Sequence, residues 1–130
     1  MKTYPTGDAF TDSYIATALW SSSDESTPDG GLPLDQNYTY SDLSPETFAI
    51  MVSECARFQI ANRELLDWAQ LRDDCDASHQ GHDFWLTRNG HGAGFWDGDY
   101  PVTGDALTTA SKLFKPVDLY IGDDGKIYQS

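Results

Sequence analysis

The side chains that could do chemistry converge on residues 82–99, HDFWLTRNGHGAGFWDGD, which hold two of the three histidines beside Asp83, Asp97 and Asp99. Imidazole and carboxylate together are the raw material of a metal site or an acid–base pair. Read as two strands around the turn Asn89–Gly92, the segment sets His82 opposite Asp99 at its open end, with Asp97 one pair inward on the alternate face. His91 sits at the tip, and at about 3.3 Å per residue it is too far from His82 to share a metal. Asp97-Gly98-Asp99 begins like a calcium loop, yet position twelve is Thr108 where that loop needs a bidentate Glu. Gly90-His91-Gly92-Ala93-Gly94 lacks a following Gly-Lys-Ser/Thr and any helix start, so it is not a phosphate loop.

Nucleophiles fare no better. Neither a G-x-S-x-G elbow nor an HExxH helix occurs. Cys55 falls on the apolar stripe of an expected helix and reads as a small buried hydrophobe. Cys75 lies in Asp73-Asp74-Cys75-Asp76, whose carboxylates oppose thiolate formation. With twenty-one acids in the chain some pair is always close, so proximity alone carries no signal. The expectation is a non-enzyme with no catalytic residue, no metal and no cofactor.

The elements that must carry these residues are readable from spacing. Residues 8–20 place Phe10, Tyr14 and Ala18, with Ile15 and Leu19 a turn offset, at helical period. A Ser/Asp/Gly/Pro-rich loop follows over 21–43, acidic and exposed through Asp24, Glu25 and Asp29. Ser44-Pro45-Glu46 is a helix start, with a cap, a first-turn proline and an acid for the dipole. Apolar residues from Phe48 to Ala69 predict one helix over 45–72. Ile50, Ile60 and Leu71 fall off that stripe, which implies contact with the first helix on a second side, or an interface.

A hairpin over 82–97 comes next, pairing Trp85 with Trp96 across an Asn-Gly turn. Thr103 is the candidate cap of a helix over 103–114, and 117–129 forms a second hairpin around Asp123-Asp124-Gly125. The sum is α+β: an antiparallel sheet built from two β-hairpins (about 82–97 and 117–129) with three helices (about 8–20, 45–72 and 103–114) packed on it. At 130 residues this is a single domain, 1–130, with one core. Trp20 and Trp68 are expected to fill that core. Trp85 and Trp96 share one hairpin face: core if the face meets the helices, an aromatic anchor beside Asp83, Asp97 and Asp99 if it is open. Arg88 reads as a local ion-pair partner, of little energetic weight if exposed.

Charge is the strongest compositional fact. Twenty-one acids, seventeen of them Asp, face eight bases, for a formal charge of −13. Such a surface repels nucleic acid and anionic membranes and attracts basic proteins, although solubility alone is a competing explanation. No apolar run approaches the roughly 20 residues of a bilayer span. The opening MKTYPTGDAF has no apolar signal region, so a cytoplasmic protein is expected.

The strings YIATALWSSSD, PLDQNYTYSDLSPET, HDFWLTRNGHGAGFWDGD and VDLYIGDDGKIY resemble a family of small acidic proteins encoded mainly by bacteriophages and related mobile elements. The resemblance spans nearly the whole chain. The family brings no established activity, so no catalytic residue is carried over. It implies a protein made in the cytoplasm of an infected bacterium to act on a host component. Small Asp-rich proteins in that setting often present carboxylates where a DNA-binding target expects phosphates.

The expected function is therefore an inhibitor or modulator that occupies the basic surface of a host nucleic-acid-binding or defence protein, with no direct nucleic-acid or membrane binding. Asp83, Trp85, Trp96, Asp97 and Asp99 in the box, and Asp24, Glu25 and Asp29 in the loop, are the candidate partner-binding residues. A small enzyme or ligand-binding domain with its site at Asn89–Gly94 is the alternative. A self-assembling accessory protein using Ile50, Ile60 and Leu71 is a third.

Overall fold

Asp8 opens the first helix by accepting the Thr11 backbone N–H at 3.3 Å and its hydroxyl at 2.6 Å. The computed structural model describes residues 6–26 and 31–130; Asp29 lies outside them. Helix α1 is Ala9–Ser21, followed by the two-residue strands β1 (Ser23–Asp24) and β2 (Leu32–Pro33), which pair antiparallel. Single 3-10 turns at Leu34–Gln36 and Tyr40–Asp42 lead to α2, Pro45–Ala61. Then come α3 (Arg63–Arg72), α4 (Ala77–Arg88), α5 (Gly104–Lys112) and the strands β3 (Leu119–Ile121) and β4 (Ile127–Gln129). The α+β class stands, with five α-helices and two separate two-stranded antiparallel sheets among the described residues. The segment 21–43 is therefore not wholly loop.

Several elements form as their sequences dictate. Ser44 caps α2 by accepting the Thr47 N–H at 3.1 Å, with Pro45 in the first turn. The C-terminal hairpin pairs Leu119 with Gln129, Tyr120 with Tyr128 and Ile121 with Ile127, and Gly125 supplies a φ of 78° in its turn. Thr103 stands at the α5 N-cap position, but its side chain makes no cap bond there.

Two assignments are corrected. The expected 45–72 helix breaks at Asn62, whose side-chain amide and backbone N–H both donate to the Phe58 carbonyl, at 2.9 and 3.0 Å. An Asn side chain that competes for the backbone in this way ends one helix and starts the next. The larger correction is the hairpin over 82–97, which is instead the second half of α4 and an irregular turn. Residues from Gln80 to Arg88 are almost all buried, so α4 has no polar stripe from which a 3.6-residue period could be read. The Asn-Gly pair closes the helix: His91 N–H reaches the Leu86 carbonyl at 3.0 Å and Gly90 N–H the Thr87 carbonyl at 3.2 Å. This is a Schellman stop, with Gly90 at φ 70°. Hairpin turn and helix stop both call for glycine at positive φ, and the dipeptide does not discriminate between them.

Packing explains which alternative wins. α1 and α4 form the most extensive helix pair, and Gly81 lets them touch backbone to backbone at Phe10. Phe84 stacks on Phe58 at 4.0 Å between ring centroids, and Phe10, Tyr14 and Phe114 close around the pair. Trp85 meets Tyr14 edge-on at 5.4 Å, and its indole N–H donates to Ser21 Oγ at 2.7 Å. A strand could offer the core only one of its two faces; the helix buries Phe84, Trp85, Thr87 and Arg88 together. Burial of such aromatics contributes about 1.5–3 kcal/mol each.

The other tryptophans are not core. Trp20 is 56% exposed with its ring beside His82, and Trp68 is 47% exposed under the Arg72 guanidinium. The off-stripe residues are likewise unpacked, Ile60 at 75% and Leu71 at 81% exposure, with Ile50 also exposed. α1 does not cover them. Substituting Ile60→Ser together with Leu71→Ser is therefore expected to change folding stability by no more than about 0.5 kcal/mol per site. Urea denaturation checks this, and a loss of 2 kcal/mol or more (about a buried side chain's worth) would mean that these residues are packed in solution.

Candidate functional site

The chain between α3 and α4 is the acidic run Asp73-Asp74-Cys75-Asp76, and its turn is built by Asp74 at φ 57°, a conformation Asp tolerates better than most residues. This turn aims Asp73 across the molecule. Its carboxylate accepts the N–H groups of Val102 and Thr103 at 2.9 and 3.1 Å and the Thr103 hydroxyl at 2.7 Å. Asp73 thus caps α5 from thirty residues away. Burial pushes the Asp73 carboxyl up, and these hydrogen bonds from Thr103 and Val102 outweigh it, leaving the group below the usual carboxylate value.

That shift has a sign that can be tested. A carboxylate whose pKa is depressed on folding adds stability above its unfolded value near 3.8, and the gain is lost as pH falls through the folded value. Asp73→Ala should cost about 0.5–2 kcal/mol at pH 7, as for loss of a helix cap. The difference from the native protein should shrink toward zero below pH 3.8. Chemical denaturation at both pH values reads it directly.

Cys75 turns inward, its thiol against the carbonyls of Asp73 and Asp99 at 3.4 and 3.5 Å, and burial raises its pKa to about 11. It is not a poised nucleophile. The contact with Asp99 brings the 97–99 loop to the 73–76 turn. That loop is fixed from the other side by the box. Phe95 N–H donates to Thr87 Oγ1 at 3.0 Å, and Asp97 accepts Gly94 N–H at 3.2 Å. Gly94, at φ 146°, lies so close to Thr87 that a Cβ would overlap its hydroxyl. Much of the glycine-rich box is thus a clasp returning the chain to the core at Phe95 and Tyr100.

On α4, His79 and Asp83 are one turn apart. His79 Nε2 lies 3.1 Å from Asp83 Oδ2 and 3.3 Å from Asp99 Oδ2, and His82 Nδ1 lies 3.0 Å from Asp83 Oδ1. Asp83 is buried between the two imidazoles. Burial raises its pKa, opposed by His82 and by the charges of both histidines. The Tyr100 hydroxyl is buried close by; burial first, then the Asp83 charge, drives its pKa far up. Neither Tyr100 OH nor Asp83 Oδ2 makes a well-formed hydrogen bond to the described residues. Among those residues no three His, Cys, Asp or Glu are arranged to hold a metal ion. The contacts of His79 with Asp83 and Asp99, and of His82 with Asp83, fix the orientation of the two rings.

The candidate residues therefore separate. Asp97 and Asp99 are exposed, the Cys75–Asp99 contact sets their loop against the turn that carries Asp74 and Asp76, and Asp105 lies in the first turn of α5. Trp96, 52% exposed, stands beside them in the same loop. Asp83 and Trp85 are buried and present nothing to a partner, and Trp85 does not face Trp96. Asp24 is also buried, its carboxylate accepting the backbone N–H and hydroxyl of Ser26. Glu25 is exposed but lies near the far end of α4, a helix about 18 Å long at 1.5 Å per residue. Asn89 has both side-chain ends committed, to the Trp85 carbonyl and the Val117 N–H. Spacing could have found His79, since Asp76, His79 and Asp83 share a helix face, but only once residues 77–88 are read as helical.

Compared with family models, with curated proteins and with solved structures, the chain matches none of them. No helix among the described residues is long and apolar enough to cross a membrane.

Proposed function

We propose that this chain is an acidic binding protein, phage-encoded as its resemblance implies, that inhibits or modulates a host nucleic-acid-binding or defence protein by occupying its basic surface. The observation that carries this reading is the sign of one end of the molecule. The 73–76 turn, the 97–99 loop and the start of α5 hold six carboxylates, and the whole stretch from Asp73 to Ser111 has a single Lys or Arg, Arg88. Arg88 is buried and paired with Glu54, so it neutralises nothing outside. Asp74, Asp76, Asp97, Asp99 and Asp105 are all exposed. Arg72 borders this region, exposed and still charged, with its guanidinium over the Trp68 ring at 5.5 Å.

Mechanism follows from electrostatics. A nucleic-acid-binding groove is lined with Lys and Arg that displace counterions from phosphates, and an ordered set of carboxylates competes for the same cations. Asp side chains are short, so the clasp at Gly94–Asp97 and the bond from Thr103 to Asp73 hold the charges in a defined array. Trp96 supplies the apolar anchor that charge alone does not, in the aromatic-with-rim-charge composition typical of hot spots. No turnover and no cofactor are required. The test is binding of a DNA-binding host protein captured on the immobilised chain, with duplex DNA as competitor. Competition supports the reading, and simultaneous binding of both to the target contradicts it.

A further inference from the structure

A second feature lies at the opposite end of α4. A cleft of about 470 Å³ opens where the chain leaving α1, the Schellman stop of α4 and the segment entering β3 meet. Its volume falls within the range of about 300–1,000 Å³ usual for small-molecule sites. Trp85 and Leu119 form its buried lining, and the serines 21–23 contribute hydroxyls. Glu25 and Asp118, both exposed, bring carboxylates to it from two different segments. His91 and Asn89 complete the polar part, and among the described residues no Lys or Arg lines the cleft.

We propose that this cleft binds a small organic cation, an alkyl amine or guanidine whose charged head meets Glu25 and Asp118 while its carbon stem lies along Pro116 and Val117, the apolar lining that is not fully buried. Two carboxylates without a lysine or arginine between them set the sign of the ligand. Asn89 is held in place by the fold, its amide donating to the Trp85 carbonyl and its side-chain oxygen accepting the Val117 N–H. Serine hydroxyls accept from N–H donors, and Ser21 already does so from the Trp85 indole. The proposal does not depend on the reading of the acidic end.

The Trp85 indole N–H, held by Ser21 at the cleft, is a reporter for heteronuclear NMR. Titration with agmatine, a four-carbon stem with a guanidinium at one end and an ammonium at the other, should give saturable shifts of Trp85, His91 and Val117–Leu119. Glu25→Gln and Asp118→Asn, both at exposed positions, should each weaken binding about two- to five-fold, as loss of one exposed charge contact implies. A second arm uses a capped Gly-Arg-Gly tripeptide. Shifts with both ligands point to an arginine side chain of a protein, and shifts with agmatine alone to a free metabolite; either supports the site. Valerate, an anion of similar length, should not bind. The proposal fails if agmatine leaves the cleft unshifted or valerate binds as well. It fails equally if the shifts spread over all exposed carboxylates and survive both substitutions.

Discussion

Arg88→Met is expected to destabilise the protein by about 3–5 kcal/mol, the usual cost of removing one partner of a buried ion pair. The guanidinium is fully enclosed and every face of its fork is used. It donates to both oxygens of Glu54 at 3.1 and 3.4 Å, to the Tyr14 hydroxyl at 3.0 Å, to the Lys115 carbonyl at 2.9 Å and to the Phe114 carbonyl. Those contacts tie α4 to α1, to α2 and to the turn after α5, where Lys115 sits at φ 61°. Methionine fills the volume but leaves the largely enclosed Glu54 carboxyl without its cation and two carbonyls unpaired. Lysine keeps the charge and loses the fork, so Arg88→Lys should recover little. Adding Glu54→Gln to Arg88→Met should restore part of the loss, because the stranded charge goes with it. A urea midpoint for Arg88→Met within 1 kcal/mol of the native value, less than a single charged hydrogen bond, would show that Arg88 is solvated in solution.

Gly81→Ala is the second large effect, and two terms oppose each other. Alanine gains up to about 1 kcal/mol over glycine in a helix interior. The new Cβ, however, would lie 2.0 Å from the Phe10 carbonyl oxygen and 2.8 Å from its carbon. These are backbone atoms of α1 and cannot rotate away. The helices must separate, and the Phe10–Phe58–Phe84 stack opens with them. Overpacking of this kind costs about 1–3 kcal/mol and more where backbone must move. The net expectation is a loss of about 2 kcal/mol or more, so the clash wins. A thermal melt unchanged or raised by the substitution would place α4 away from α1.

Legibility of the fold tracked how local each signal was. Ser44-Pro45-Glu46 and Asp123-Asp124-Gly125 carry their own chemistry, and the α2 start and the β3–β4 hairpin fall there. The break at Asn62 was hidden because apolar residues continue through α2 and α3 at nearly helical period. α4 was hidden because a helix buried on most sides has the composition of a strand, and because Asn89-Gly90 serves either as a hairpin turn or as a helix stop. That one misassignment moved the site. It set His82 against Asp99, whereas α4 sets His79 there, and it put Trp85 on a shared face with Trp96. Asp97 and Asp99 are exposed as expected, and Trp96, which the hairpin left as either core or anchor, is exposed in the turn after α4. Asp73 could not have been singled out, because its cap of α5 is a contact across thirty residues.

The most direct experiment measures affinity for a captured host DNA-binding protein across a salt series, with the native chain and with the Asp74, Asp76, Asp97 and Asp99 carboxylates changed to amides. Native binding should weaken steeply with salt, and the amidated chain should bind at least tenfold more weakly with a shallower salt slope. Affinity that ignores salt and survives loss of all four charges would mean that these aspartates only keep the fold in solution.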